Sequence, residues 1–150
     1  MVRFFRFVCL YFFAASSLVG IGWAQDLSKV KQETIQLSDT VYLIVPNPPY
    51  GGNLAVSVGD DGILLVDDQM MPMTPGIREA IARLQEGGIK YLVNTHYHYD
   101  HAGGNEAFGK DSVIVAQHNV HTRLAEGREA GARFIEGKRS IEALPDITFE

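Results

Sequence analysis

Residues 94–105 read Asn-Thr-His-Tyr-His-Tyr-Asp-His-Ala-Gly-Gly-Asn. They hold three of the chain's five histidines, His96, His98 and His101, with Asp100 between the last two. Imidazole and carboxylate donors at this density suit zinc, with manganese or iron as weaker candidates. In an extended segment alternate side chains share a side, so His96, His98 and Asp100 are expected to project together. A turn at Ala102-Gly103-Gly104 would swing His101 back toward the same cavity, because glycine tolerates the backbone such a turn needs. The plain alternative, a polar loop whose histidines cap neighbouring elements, accounts poorly for so tight a grouping. Thiolate ligation is excluded from this site, since the only cysteine, Cys9, lies far away in an apolar leader. No glycine-rich stretch ends in Lys-Ser or Lys-Thr, so a phosphate-binding loop is absent. Ser57 sits inside an apolar run and gives a serine hydrolase no support.

The elements that must position this cluster follow from periodicity and turn residues. Residues 34–45 are β-rich, and the proline- and glycine-rich stretch from Pro46 to Gly52 is expected to be a loop. Apolar runs at 53–58 and 63–66, joined by Gly59-Asp60-Asp61-Gly62, form a strong hairpin signal. Thr74 and Pro75 mark a helix start as N-cap and first-turn proline. Ile77, Ile81 and Leu84 then recur at helical spacing until Gly87-Gly88. Residues 89–94 read as a buried strand leading straight into the histidine cluster. Residues 112–116 form another short strand, 118–127 a helix, and the segment to Leu144 has helical tendency. Pro145 ends that segment, and 147–149 begin a strand with no expected partner. A mixed α/β sheet with helices packed on it results.

Composition narrows the setting. The chain of 150 residues is 46% hydrophobic and 21% charged, with a formal net charge of −5. Residues 1–24 carry Arg3 and Arg6 near the start, a mostly apolar run from Phe7 to Leu18, and Gly22-Trp23-Ala24 before Gln25. That order is expected of a secretory signal peptide cleaved after Ala24, rather than of a membrane anchor. The product would be periplasmic or secreted, with no membrane attachment after cleavage. Residues 25–150 then carry a net charge of −7, since the leader takes two arginines and no acid with it. Such acidity argues against a nucleic-acid partner.

The histidine cluster following a buried strand resembles the signature of the metallo-β-lactamase superfamily, His-x-His-x-Asp-His. The resemblance runs from about Thr34 to Phe149. It takes in the hairpin ending Leu64-Leu65-Val66-Asp67, the strand residues Tyr91-Leu92-Val93, and Gly103-Gly104-Asn105. It implies an α/β (α+β) fold, the N-terminal half of an αββα sandwich, with residues 25–150 as a domain incomplete at its C-terminus. Two zinc ions per complete site are implied, His96 and His98 binding the first, and Asp100 and His101 the second. Asp67 corresponds to a family carboxylate that supports the histidine loop, although a strand-ending turn residue would look the same. Asp100 would also orient the attacking hydroxide.

Zinc lowers the pKa of bound water to about 7, which implies hydrolysis of a small-molecule ester, thioester, lactone or β-lactam. The family's remaining ligands come from a second half with no counterpart after His101. His118 and His121 lie too close, on the next helix, and are expected to be solvated or capping. As an alternative, the chain would be a truncated, non-catalytic metal-binding fragment. Met70, Met71 and Met73 are expected to fill the core rather than line a substrate mouth. The 46–52 loop with Tyr50 occupies the place of a flap that covers the site in some family members.

Overall fold

The computed structural model describes residues 26–130 and 134–150; the leader expected at 1–24 lies outside them. Seven strands form one sheet in the order β1-β2-β3-β4-β5-β6-β9, and β7 pairs with β8 in a separate hairpin. β1 (Lys31–Gln36) and β2 (Val41–Asn47) are antiparallel, as are β2 with β3 (Leu54–Gly59) and β3 with β4 (Gly62–Val66). The sheet then turns parallel through β5 (Ile89–Asn94), β6 (Val113–Gln117) and β9 (Ile147–Phe149). The final strand therefore has a partner in β6, contrary to the sequence expectation. Its docking is helped by Asp146, whose backbone N–H donates to the Ile114 carbonyl at 2.8 Å and whose carboxylate accepts from the Ile114 N–H at 2.8 Å.

The expected single β-rich run at 34–45 is two strands. Ser38 breaks it, its hydroxyl accepting from the Val41 N–H at 3.1 Å and folding the chain back on itself. Pro46 and Asn47 extend β2 instead of opening the loop. Pro46 lies opposite Gln32 of β1, beyond the last residue of β2 that pairs with β3, where its missing N–H deprives no strand of a partner. The β3–β4 hairpin closes as expected, with Gly59 opposite Gly62 and Gly62 at φ +109°, a conformation glycine adopts without strain.

Helix α1 (Thr74–Ala82) carries the chain from β4 to β5. Thr74 is not its N-cap. A 3-10 turn at Met71–Met73 runs directly into the helix, and the Thr74 hydroxyl donates back to the Met71 carbonyl at 2.9 Å. The helix stops at Ala82, short of Gly87-Gly88, with Arg83 as its C-cap. After β5 come single turns α2 (Tyr99–Ala102) and α3 (Asn105–Phe108), then α4 (His118–Glu126). The helical tendency beyond α4 gives way to β7 (Arg128–Ala130), β8 (Phe134–Glu136) and a 3-10 turn at Ile141–Ala143.

One face of the sheet holds the core. Leu54, Val56, Ile63, Leu65, Leu92 and Ile114 are buried against Ile77, Ala80 and Ile81 of α1 and Phe108 of α3. Met73 joins that core as expected of filler, whereas Met70 is buried outside it and Met71 is only half-buried. The alternate residues of the same strands, such as Leu64, Val66 and Val93, are only half-buried. Burial thus follows the strand period of two. Two adjacent substitutions in β5 separate the faces. Leu92→Ala should lower unfolding free energy by about 2–5 kcal/mol, and Tyr91→Ala by less than about 1 kcal/mol, as read by urea denaturation.

Candidate metal centre

The parallel pairing of β4 with β5 sets the carboxyl ends of the two strands side by side. In open α/β sheets ligands gather outside such ends. Asp67 follows β4, and Thr95 and His96 follow β5. The Asp67 backbone N–H donates to the Val93 carbonyl at 2.9 Å, holding the two ends together. Asp67 is buried and takes a left-handed backbone, φ +61°, which aspartate tolerates better than most residues. Its Oδ1 accepts the Thr95 N–H at 2.8 Å. Its Oδ2 accepts the Thr95 hydroxyl at 2.8 Å and meets His101 Nδ1 at 2.8 Å.

This carboxylate fixes protons on two rings. A carboxylate only accepts, so His101 Nδ1 carries a hydrogen, and in the neutral ring Nε2 keeps the lone pair. Thr95 gives its hydroxyl proton to Asp67, so its oxygen accepts from His96 Nδ1 at 3.0 Å, and His96 Nε2 is likewise unprotonated. Burial, with His101 and His98 nearby, holds the His96 pKa below the ordinary imidazole value and favours the neutral ring. Neutral imidazole is the form that binds metal.

The four predicted donors come together as two pairs. His96 Nε2 lies 3.1 Å from His98 Nδ1, and His101 Nε2 lies 3.6 Å from Asp100 Oδ2. Two donors sharing one tetrahedral ion at ordinary zinc distances stand about 3.3 Å apart. Both pairs fall near that spacing, so the donor set and its spacing fit zinc. The His96 ring bridges the pairs, its centroid 4.0 Å from that of His101 and 4.8 Å from that of His98. No group of three or more His, Cys, Asp or Glu side chains among the described residues converges on a common metal position.

The local backbone differs from the expected one in a single respect. Residues 96–98 lie outside any strand, with His98 extended, but Asp100 and His101 both lie on the α2 turn, where the His101 N–H donates to the His98 carbonyl at 2.9 Å. His101 is returned by this turn and not by the glycines after it. Gly103 and Gly104 serve close packing. A Cβ on Gly103 would clash with the Tyr99 carbonyl oxygen, and one on Gly104 would lie 2.7 Å from that of Asp68. His118 is exposed at the start of α4 and His121 is half-buried one turn later.

Three contributors were not legible as site residues. Thr95 relays Asp67 to His96, and only its position directly before the first histidine could have drawn attention to it. Asp68 is fully buried, its Oδ1 accepting the Gly104 N–H at 2.8 Å, while its backbone N–H donates to the His101 carbonyl at 2.8 Å. Gln69, also fully buried, donates to the carbonyls of Tyr50 and Gly52. An unbroken polar triplet, Asp67-Asp68-Gln69, after an apolar strand was the available signal. Behind it, Asn105 Nδ2 donates to Asn94 Oδ1 at 2.9 Å and to the Ala143 carbonyl at 2.8 Å, joining the histidine loop to the end of the described chain.

Comparison with known proteins decides the family. Residues 47–148 match the model of the metallo-beta-lactamase superfamily. The chain belongs to that superfamily. Among solved structures, a subclass B3 metallo-beta-lactamase of Bradyrhizobium japonicum aligns with TM-score 0.64 and 26% identity over 81% of this chain and 46% of its own. A metallo-beta-lactamase of Cronobacter sakazakii aligns with TM-score 0.67 and 20% identity over 81% and 47%. One from Legionella gormanii aligns with TM-score 0.67 and 16% identity over 80% and 47%. The chain thus spans about half the length of these superfamily members. Curated proteins gave no match.

The buried Asp68 gives this superfamily member a pH signature. Burial above all, reinforced by the neighbouring Asp67 carboxylate, pushes the Asp68 pKa well above the ordinary value, against the pull of the Gly104 N–H and Arg139. A folded pKa above the unfolded one means the native state binds more protons, so stability falls as pH rises between the two values. Asp68→Asn removes that loss while keeping the acceptor for Gly104. Its thermal midpoint should exceed wild type by a margin that grows as pH is raised from about 4 and levels off above the folded pKa. A margin independent of pH would contradict the assignment.

Proposed function

We propose that this chain carries zinc ligands of an exported hydrolase that opens the carbonyl of a small-molecule ester, thioester, lactone or β-lactam. The supporting observation is the Asp67 carboxylate, which holds His101 directly and His96 through Thr95, each by its Nδ1, so that in the neutral rings Nε2 is the atom left to bind metal. Partners of this kind, lying behind the donors, fix tautomer and ring orientation in metal sites. His96 and His98 would hold one ion, and Asp100 and His101 the other. When bound, zinc supplies Lewis acidity and makes water acidic enough to lose a proton near neutral pH.

The remaining work falls to the chain's own groups. Asp100 is half-buried at the start of a helical turn, so its carboxylate can accept a hydrogen bond from the attacking water and aim it. His98 is the most exposed of the three rings and would therefore meet an entering substrate first. Tyr50, 43% exposed, tops the loop that packs on His101 and Asp100, and offers an aromatic surface to an apolar substrate group. Subclass B3 metallo-beta-lactamases among the structural relatives make β-lactam one member of the substrate class. The net charge of −7 after removal of residues 1–24 disfavours a nucleic-acid substrate.

Zinc titration of the full chain against a chromogenic chelator, alongside a panel of ester, thioester, lactone and β-lactam substrates, tests the proposal. His96→Ala should weaken zinc binding by at least tenfold. Asp100→Asn should lower any hydrolysis by about a hundredfold or more. Unchanged zinc affinity in the first and unchanged turnover in the second would overturn it.

A further inference from the structure

Gln69 occupies a backbone conformation where glycine would be the default, φ +62°, yet it carries a long amide side chain that is completely buried. A non-glycine residue persists there when its surroundings require its side chain. Its Nε2 donates to the Tyr50 carbonyl at 3.2 Å and to the Gly52 carbonyl. Its Oε1 has no hydrogen-bond partner and faces Gly51, where a Cβ would come within 2.6 Å of it. On its other side the Gln69 backbone oxygen packs on Gly103 of the histidine loop. Gln69 therefore ties the loop after β2 to the histidine loop.

What the tied loop touches is His101. A Cβ built on Gly52 would lie 2.5 Å from the ring's Cε1, 2.8 Å from Nε2 and 3.0 Å from Nδ1, so bare backbone lies against the imidazole. His96 packs against the same ring at 4.0 Å between centroids, and Asp67 holds its Nδ1. The Asp67 bond fixes one atom of the ring but leaves it free to rock about that point. Contact with Gly52 removes this freedom, and Gly52 stays in contact because Gln69 grips its carbonyl.

We propose that Gln69 is a positioning residue that acts through Gly52 to fix the plane of the His101 imidazole, and with it the direction of the Nε2 lone pair. The effect on metal rests on the reading of His101 as a ligand; the effect on the ring does not.

The test uses the full chain with ¹⁵N-labelled histidine. Gln69→Met keeps the side-chain volume and loses both donated bonds. Gly52→Ala leaves Gln69 intact and presses a methyl on the ring. In wild type, long-range ¹H–¹⁵N spectra without metal should show His101 as a single tautomer protonated at Nδ1. Both variants should keep that tautomer, which Asp67 sets, but shift and broaden the His101 Cε1–H and Cδ2–H signals as the ring rocks, and raise the zinc dissociation constant about tenfold, while Ser57→Ala changes neither. Circular dichroism monitors folding, and should Gln69→Met unfold, Gly52→Ala decides the matter. Folded variants with wild-type His101 ring Cε1–H and Cδ2–H signals and zinc affinity within twofold would overturn the proposal. A wild-type chain that binds no zinc, but whose His101 ring signals still respond to Gln69→Met, supports the tie and overturns only the metal reading.

Discussion

The Asp67 carboxylate is the junction on which the histidine cluster depends. It stands where two parallel strands end together, and three donors, from Thr95 and His101, meet its two oxygens. A buried carboxylate without partners would be strongly disfavoured. Here the partners that satisfy it are the residues that must be oriented, so the electrostatic demand of one buried group organises the loop around it. Each His bond also selects a tautomer, and through Thr95 the choice reaches a second ring.

Around that junction the chain is arranged in layers of backbone contact. The β4-to-Met70 turn holds Asp67, Asp68 and Gln69 in succession, and each addresses a different neighbour. Asp67 takes the histidines, Asp68 the Gly104 N–H behind them, and Gln69 the carbonyls of the Tyr50 loop. Two of the three have left-handed backbones, which turn successive side chains in different directions. Glycines at 51, 52, 103 and 104 let the flanking loops approach without side chains between them. Apolar packing of α1 and α3 on one sheet face supports the strand ends, and the polar triplet converts that support into ring orientation.

Much of this was legible beforehand. The β3–β4 hairpin, the strand at Ile89–Asn94 and the helix at His118–Glu126 carry strong local signals: a Gly-Asp-Asp-Gly turn, an apolar run, a helical period closed by Gly127. Expectations failed where a side chain made a contact distant in sequence or a local alternative competed. Ser38 divided the first β run, and the 3-10 turn at Met71–Met73 took the helix start from Thr74. The segment after α4 has helix-forming composition but pairs as β7 with β8, because strand pairing depends on partners more than on intrinsic preference.

The sequence by itself determined that four potential donors, His96, His98, Asp100 and His101, fall within six positions, because ligand chemistry is a property of residue type and close spacing. It also determined the strand that delivers them, since strand period and turn residues act over a few positions. Only the tertiary structure decided that Asp67 holds the Nδ1 of His101 and, through Thr95, that of His96, and that Gln69 reaches Gly52. These depend on the parallel alignment of β4 with β5 and on contacts spanning 17 to 34 residues. Such contacts form only once the sheet is assembled.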